Sequence, residues 1–141
     1  MTDAVFVDTN VLIYAHDADA GAKRVAAVEA LEQLWEHGTG RLSVQVLQEF
    51  YVNATRKLAS PVAHSTAREI VQSYGAWVRE ATTPDTVTRA IDLAQLARLS
   101  FWDALIVASA EQADCKVVLS EDLNPGQAIA GIRIVNPFGR A

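Results

Sequence analysis

Four carboxylates far apart in the chain, Asp8, Glu49, Asp103 and Asp122, are the side chains best suited to chemistry. Hard cations such as Mg2+ and Mn2+ take oxygen ligands, commonly one or two carboxylates completed by water and substrate phosphate. Acids converging around such an ion would let it ease the ionisation of water and neutralise charge on a phosphodiester during in-line displacement. That chemistry asks for no histidine or cysteine. His16, His37 and His64 have no ligand spacing and read as surface or loop residues. Cys115, the single cysteine, precedes an apolar run and reads as buried rather than reactive. Asp17-Ala18-Asp19 begins like a calcium loop, but Gly21 and Val28 stand where further ligands are needed, so that site is excluded.

Each acid also has a plainer reading. Asp8 could cap a helical turn through Val11 to Tyr14, and Asp103 could be a first-turn acid of an apolar helix. Asp122 could be an ordinary loop acid. Glu49 lies on a helical wheel opposite the stripe Leu47, Phe50, Tyr51 and Ala54, near Gln45, Asn53 and Arg56. By itself that is a solvated face, unless the polar side lines a cleft. Arg56, Lys57 and Lys116 are candidate phosphate contacts, although solvated surface is the simpler reading of each. Trp35, Trp77 and Trp102 read as core or interface residues rather than base-stacking platforms, and Phe50-Tyr51 as core.

The elements that must position these acids follow from periodicity. Ala4–Val7, Arg41–Val44, Lys116–Leu119 and Ile132–Val135 read as short strands, with Arg79–Thr82 as a further one. Ala22–His37 is an amphipathic helix stopped by Gly38, and Gln45–Leu58 a second, ended at Ser60-Pro61. Thr66 and Glu69 have capping-box spacing for a helix over 63–80. Thr83-Pro84 looks like an N-cap followed by a first helical proline, opening a helix to about Arg98. Trp102–Ala113, apolar nearly all round, predicts a buried helix, and 124–131 a loop with one helical turn. Strands alternating with helices predict an α/β fold with a mostly parallel sheet covered on both faces. Ligands of such sheets bind beyond the carboxyl ends of the strands. Asp8 follows the first strand directly, and Ser120, Glu121 and Asp122 follow the Lys116–Leu119 strand, so both groups fall at that edge.

The 141 residues fit a single domain over 1–141 that buries a core without disulfides. One cysteine, and a start that resembles neither a secretory nor a transit leader, lead one to expect a reducing, cytoplasmic setting. No apolar run approaches the roughly 18 residues that would span a bilayer. The net charge of −5 is unusual for a nucleic-acid binder, but the four acids account for most of it, and divalent cations would cancel much of that.

The motifs carry a resemblance. Val7-Asp8-Thr9-Asn10-Val11-Leu12-Ile13 resembles the opening motif of PIN-domain nucleases, and Gln48-Glu49-Phe50 their second acidic motif. Phe101-Trp102-Asp103-Ala104-Leu105-Ile106-Val107-Ala108 is similar to the third, Leu119-Ser120-Glu121-Asp122-Leu123 to the fourth, and Ile134-Val135-Asn136-Pro137-Phe138 to the last strand. The likeness spans almost the whole chain in order, and its compact form resembles VapC-type toxins of toxin–antitoxin pairs. It implies a PIN-like three-layer sandwich of about five short strands flanked by helices, and Mg2+- or Mn2+-dependent cleavage of RNA to 5′-phosphate and 3′-hydroxyl ends. It implies Asp8, Glu49, Asp103 and Asp122 as catalytic and metal-binding acids, with Asp8 and Asp103 the principal ligands. Asn10 and Ser120 would be supports, and Glu121 the substitute for a fifth acid missing from Leu123-Asn124-Pro125-Gly126. A cognate antitoxin and a homodimer are the implied partners. Phe6-Val7-Asp8-Thr9-Asn10 also resembles the start of a haloacid-dehalogenase-type phosphatase with Asp8 as nucleophile, but Asn10 departs from that pattern. A non-catalytic binding module on the same scaffold is the third reading.

Overall fold

The computed structural model describes residues 3–123 and 126–139. Strands β1 Val5–Val7, β2 Gly40–Arg41, β3 Val117–Leu119, β4 Ala128–Ile129 and β5 Ile132–Val135 form one sheet in the order β2-β1-β3-β5-β4. Neighbours are parallel except in the antiparallel β4–β5 hairpin. Helices α1 Thr9–Ala15, α2 Ala22–His37, α3 Val44–Arg56, α4 His64–Tyr74, α5 Pro84–Ala97 and α6 Phe101–Gln112 flank it. The expected α/β architecture of short, mostly parallel strands between helices is therefore present. No described helix is long and apolar enough to cross a membrane.

The chain leaves β1 toward β2 on one side and later returns to β3 on the other. Where connections diverge like this, a crevice opens at the carboxyl ends of the strands. Register sets what meets there. Val7 stands beside Leu119, and Asp8 N–H donates to the Leu119 carbonyl at 2.9 Å, so the next residues, Asp8 and Ser120, come alongside each other. Phe6, Val7, Val118 and Ile134 of the strands are buried with Val11, Leu12, Val46 and Phe50 of the helices. In α6 every residue from Ala104 to Ala110 is buried, as its all-round apolar sequence requires, and α5 packs along it.

Several boundaries have local causes visible in the sequence. Thr83 caps α5 through a reciprocal box with Thr86, and Pro84 opens the helix. Gly38 ends α2 in the left-handed conformation at φ 66°. Ser43 caps α3, so the strand expected over Arg41–Val44 shrinks to Gly40–Arg41, because Ser43 and Val44 are already used to start a helix. Other expectations need correction. The helix over 63–80 stops at Tyr74, where a 3-10 turn at Gly75–Trp77 swings the Trp77 ring into the core. Its N-cap position is Ala63, with no side-chain cap, so the Thr66–Glu69 spacing caps nothing. Arg79–Thr82 is not a strand: the edge of β2 is met instead by the Trp77 carbonyl, which accepts from Leu42 N–H at 3.0 Å. That packing also explains Gly40, since a Cβ there would lie 2.5 Å from the Trp77 ring. In the segment 124–131, residues 124 and 125 lie outside the described residues, and of the others Ala128–Ile129 form β4 rather than a helical turn. Ala130 and Gly131, at φ 53° and 80°, make the two-residue hairpin turn that joins it to β5.

Candidate active site

Asp8 is at once the end of β1 and the cap of α1. Its backbone stays extended at φ −75° and ψ 158°, and its Oδ1 accepts from Thr9 N–H at 2.7 Å. Its Oδ2 accepts from Ser120 Oγ at 2.7 Å and from Asn10 Nδ2 at 3.3 Å. The side chain is almost fully buried. Burial, partly offset by these hydrogen bonds and reinforced by the charges of Glu49 and Asp122, pushes its carboxyl up to about 6. The capping and functional readings of Asp8 are therefore compatible.

Ser120, fully buried at the end of β3, is a hub. Besides donating to Asp8, its oxygen accepts from the Asp122 and Leu123 amides at 3.2 and 3.1 Å, which curls the chain so that Asp122 returns toward the cleft. Asn10 completes the tie. Its Nδ2 donates to Asp122 Oδ2 at 3.2 Å, and its Oδ1 accepts from Glu121 N–H at 3.1 Å.

Glu49 turns toward the other acids. It shares one stripe of α3 with Gln45 and Asn53, and all three line a cleft of about 250 Å3 together with Asp8, Asp103 and Asp122. Thr9 Oγ1 donates to Glu49 Oε1 at 2.6 Å, while Gln45 Nε2 donates to Oε2 at 3.2 Å and to the Trp102 carbonyl at 3.3 Å. Asp103 sits in the first turn of α6, where its amide donates to the capping Ser100 hydroxyl at 3.1 Å. Partial burial, together with Asp122 and Glu49, raises its carboxyl above the usual range, against the Ser100 hydrogen bond.

Glu121 goes elsewhere. Its carboxylate accepts from Tyr14 Oη at 2.7 Å and pairs with Lys23 at 2.5 Å; the Lys23 and then the Tyr14 contact hold it below the usual range. It thus anchors the 120–122 turn to α1 and α2 and leaves the cleft without a fifth acid. Lys116 precedes β3, at the end of the strand away from Ser120–Asp122, and does not line the cleft. Arg56 and Lys57 are exposed at the far end of α3 and do not line the cleft. Trp77 is core, but Trp102 is not: it is 61% exposed on the rim of the cleft. Cys115 is buried, which pushes its thiol up to about 11. Thr9 and Gln45 were missed as site residues. The one signal for them was adjacency to Asp8 and the four-residue step from Glu49.

The cleft's donors are oxygens, its lining among the described residues holds no lysine or arginine, and its carboxylates repel one another. That donor set fits a hard divalent cation. Among the described residues no three His, Cys, Asp or Glu side chains stand close enough to hold one metal ion together, so the acids frame an open site rather than a cage. Mg2+ sites commonly rest on one or two carboxylates with water, which such an opening permits.

Residues 5–128 match the model of the PIN domain family. No curated protein is a significant match in sequence. Among solved structures, the fold is similar to a toxin–antitoxin complex from Klebsiella pneumoniae, at 22% identity over 96% of this chain and 98% of that one, with a TM-score of 0.66. It is also similar to Mycobacterium tuberculosis VapC20, a toxin that cleaves the sarcin–ricin loop, at 22% identity over 84% and 90% of the two chains, with a TM-score of 0.61. Likeness at that identity speaks for the fold. With most of its length matched by one family model, the chain belongs to the PIN domain family.

Proposed function

We propose that this protein is a metal-dependent endoribonuclease and the toxin of a toxin–antitoxin pair. The observation that carries the reading is the convergence of Asp8, Glu49, Asp103 and Asp122 on one cleft whose lining, among the described residues, has no cationic side chain. The likeness to VapC20 supports RNA as the substrate class, and the likeness to the Klebsiella complex supports a protein antitoxin as partner. The homodimer belongs to the same proposal.

Asp8 and Asp103 would be the principal ligands of Mg2+ or Mn2+, with Glu49 and Asp122 beside them. When bound, such a cation supplies Lewis acidity toward a phosphodiester and eases the ionisation of water. The chain's own residues hold the donors in place. Ser120 and the Thr9 amide fix the Asp8 carboxylate, Thr9 and Gln45 fix Glu49, and Asn10 links Asp8 to Asp122. Hydrolysis places the oxygen of water on phosphorus, breaks the bond from phosphorus to the 3′ oxygen, and leaves the proton on that oxygen. The products are a 5′-phosphate and a 3′-hydroxyl.

Both oxygens of Asp8 are engaged in hydrogen bonds and the group is buried, which suits a ligand better than the free nucleophile of a phosphatase. Total RNA incubated with the protein, with and without Mn2+, should be cut in its presence by the wild type and spared by Asp8→Asn. Equal cleavage by a well-purified Asp8→Asn protein would overturn the reading. Calorimetry that finds no uptake of Mg2+ or Mn2+ would favour the binding-module reading instead.

A further inference from the structure

Trp102 is the most exposed aromatic side chain among the described residues. An indole left in water forgoes a large burial gain. Trp35, the other exposed indole, is held in a cluster, its ring centroid 5.2 Å from Tyr74 and 4.6 Å from Trp77. Trp102 has Phe101 edge-on at 5.0 Å as its one aromatic neighbour among the described residues. Its backbone is nevertheless fixed, in the first turn of a buried helix and with its carbonyl bonded to Gln45.

The cleft is therefore two-sided. Trp102 and Ile106, one helical turn apart, give it an apolar wall, and the carboxylates give it a polar one. A nucleotide has the matching halves, a base with a π-face and a phosphate that a cation at the carboxylates would hold. Among the described residues the lining has no lysine or arginine, and the chain carries a net charge of −5, so the polyanion gains little from the protein's own field. Stacking of a base on an aromatic ring supplies affinity without that field and without regard to sequence.

We propose that Trp102 is a base-stacking platform, holding the nucleobase of a single-stranded RNA nucleotide next to the phosphate at the carboxylates. The inference rests on the ribonuclease reading and names how its substrate is gripped. It also favours unpaired RNA, since a base within a duplex has its faces covered by its neighbours.

The test is binding of a labelled single-stranded oligoribonucleotide to the Asp8→Asn protein in Mg2+, alone and combined with Trp102→Ala or Trp102→Phe. The oligonucleotide is used intact and with one abasic residue moved along it. Trp102→Ala should weaken binding about 10-fold, within the range of one lost stack, and Trp102→Phe should recover most of it. At one position the abasic residue should cost the Asp8→Asn protein the same factor and cost the Trp102→Ala protein nothing more. In the cleaving wild type, Trp102→Ala should raise KM and leave kcat, as expected for loss of uniform binding. Unchanged RNA affinity and kcat/KM beside Asp8-dependent cleavage would overturn the platform alone and leave the ring to a protein contact. A loss equal for intact and abasic RNA would also overturn it. Absence of both binding and cleavage by the wild type would overturn the ribonuclease reading with it.

Discussion

Two concavities are built from different faces of α3. Gln45, Glu49 and Asn53 face the acid cleft, and Val46, Phe50 and Ala54 are buried in the core. Val44, Leu47, Gln48, Tyr51 and Val52 line an apolar groove of about 800 Å3 against α4, where Tyr51 Oη and His64 Nδ1 are 2.6 Å apart. The groove is the larger, but it holds no carboxylate. The cleft is smaller and its acids are pinned by strand ends, a helix cap and a buried helix. Size marks where something could rest. Chemistry follows the convergence of like charges that rigid elements hold together at a cost in stability.

That contrast can be broken by substitution. Asp103→Asn should lower RNA cleavage by about 100-fold or more while the circular dichroism spectrum stays native, since it removes a charge aimed at the reacting group. Val52→Asp, in the groove, should leave cleavage near the wild-type rate. If Val52→Asp abolished cleavage and Asp103→Asn did not, the cleft would be the wrong site. Ser120→Ala removes the hydroxyl that orients Asp8, and loss of such a partner costs about 10- to 100-fold in metal affinity or activity. Titration with Mn2+ reads it directly, and unaltered affinity would make Ser120 a purely structural hub.

Stability should move the other way. A carboxyl whose folded pKa lies above its unfolded value weakens the fold once pH rises through the folded value. In chelator at pH well above 6, Asp8→Asn should therefore be more stable than wild type, by on the order of 1–3 kcal/mol. Denaturant melts check this, and saturating Mn2+ should shrink the difference by stabilising the wild type. The smallest effect concerns His16, whose ring lies edge-on to Phe50 and whose Nε2 is buried without a partner among the described residues. Burial, and then Arg24, hold its pKa below the ordinary 6.5, so its contribution is present above that value and lost as pH falls toward the folded one. Over that window the wild type should lose more stability than His16→Gln. Parallel melting curves would remove His16 from the account.

Legibility differed by residue for physical reasons. Asp8 and Ser120 were readable because strand ends in a parallel sheet converge at one edge, and Asp103 because a buried helix must start somewhere near its first polar residue. The Thr83-Pro84 cap was equally local. Arg79–Thr82 misled because a short, mostly polar segment forms a strand only when a neighbour offers hydrogen bonds, and Trp77 had taken that edge. The β4–β5 hairpin was hidden because Ala130-Gly131 lacks the usual turn residues.

The sequence by itself determined the alternation of strands and helices, the single core and the candidate acids, because periodicity and caps are local properties. The direction of Glu49 and Glu121 was decided by tertiary structure. A helical wheel shows which residues share a face but not what that face meets. Thr9 and Gln45 draw Glu49 into the cleft, while Lys23 and Tyr14 draw Glu121 out of it. Trp102 depended on tertiary structure in the same way: its type suggested core or interface, and the start of α6 left it at the rim, because α6 buries Ala104 to Ala110 and not its first turn.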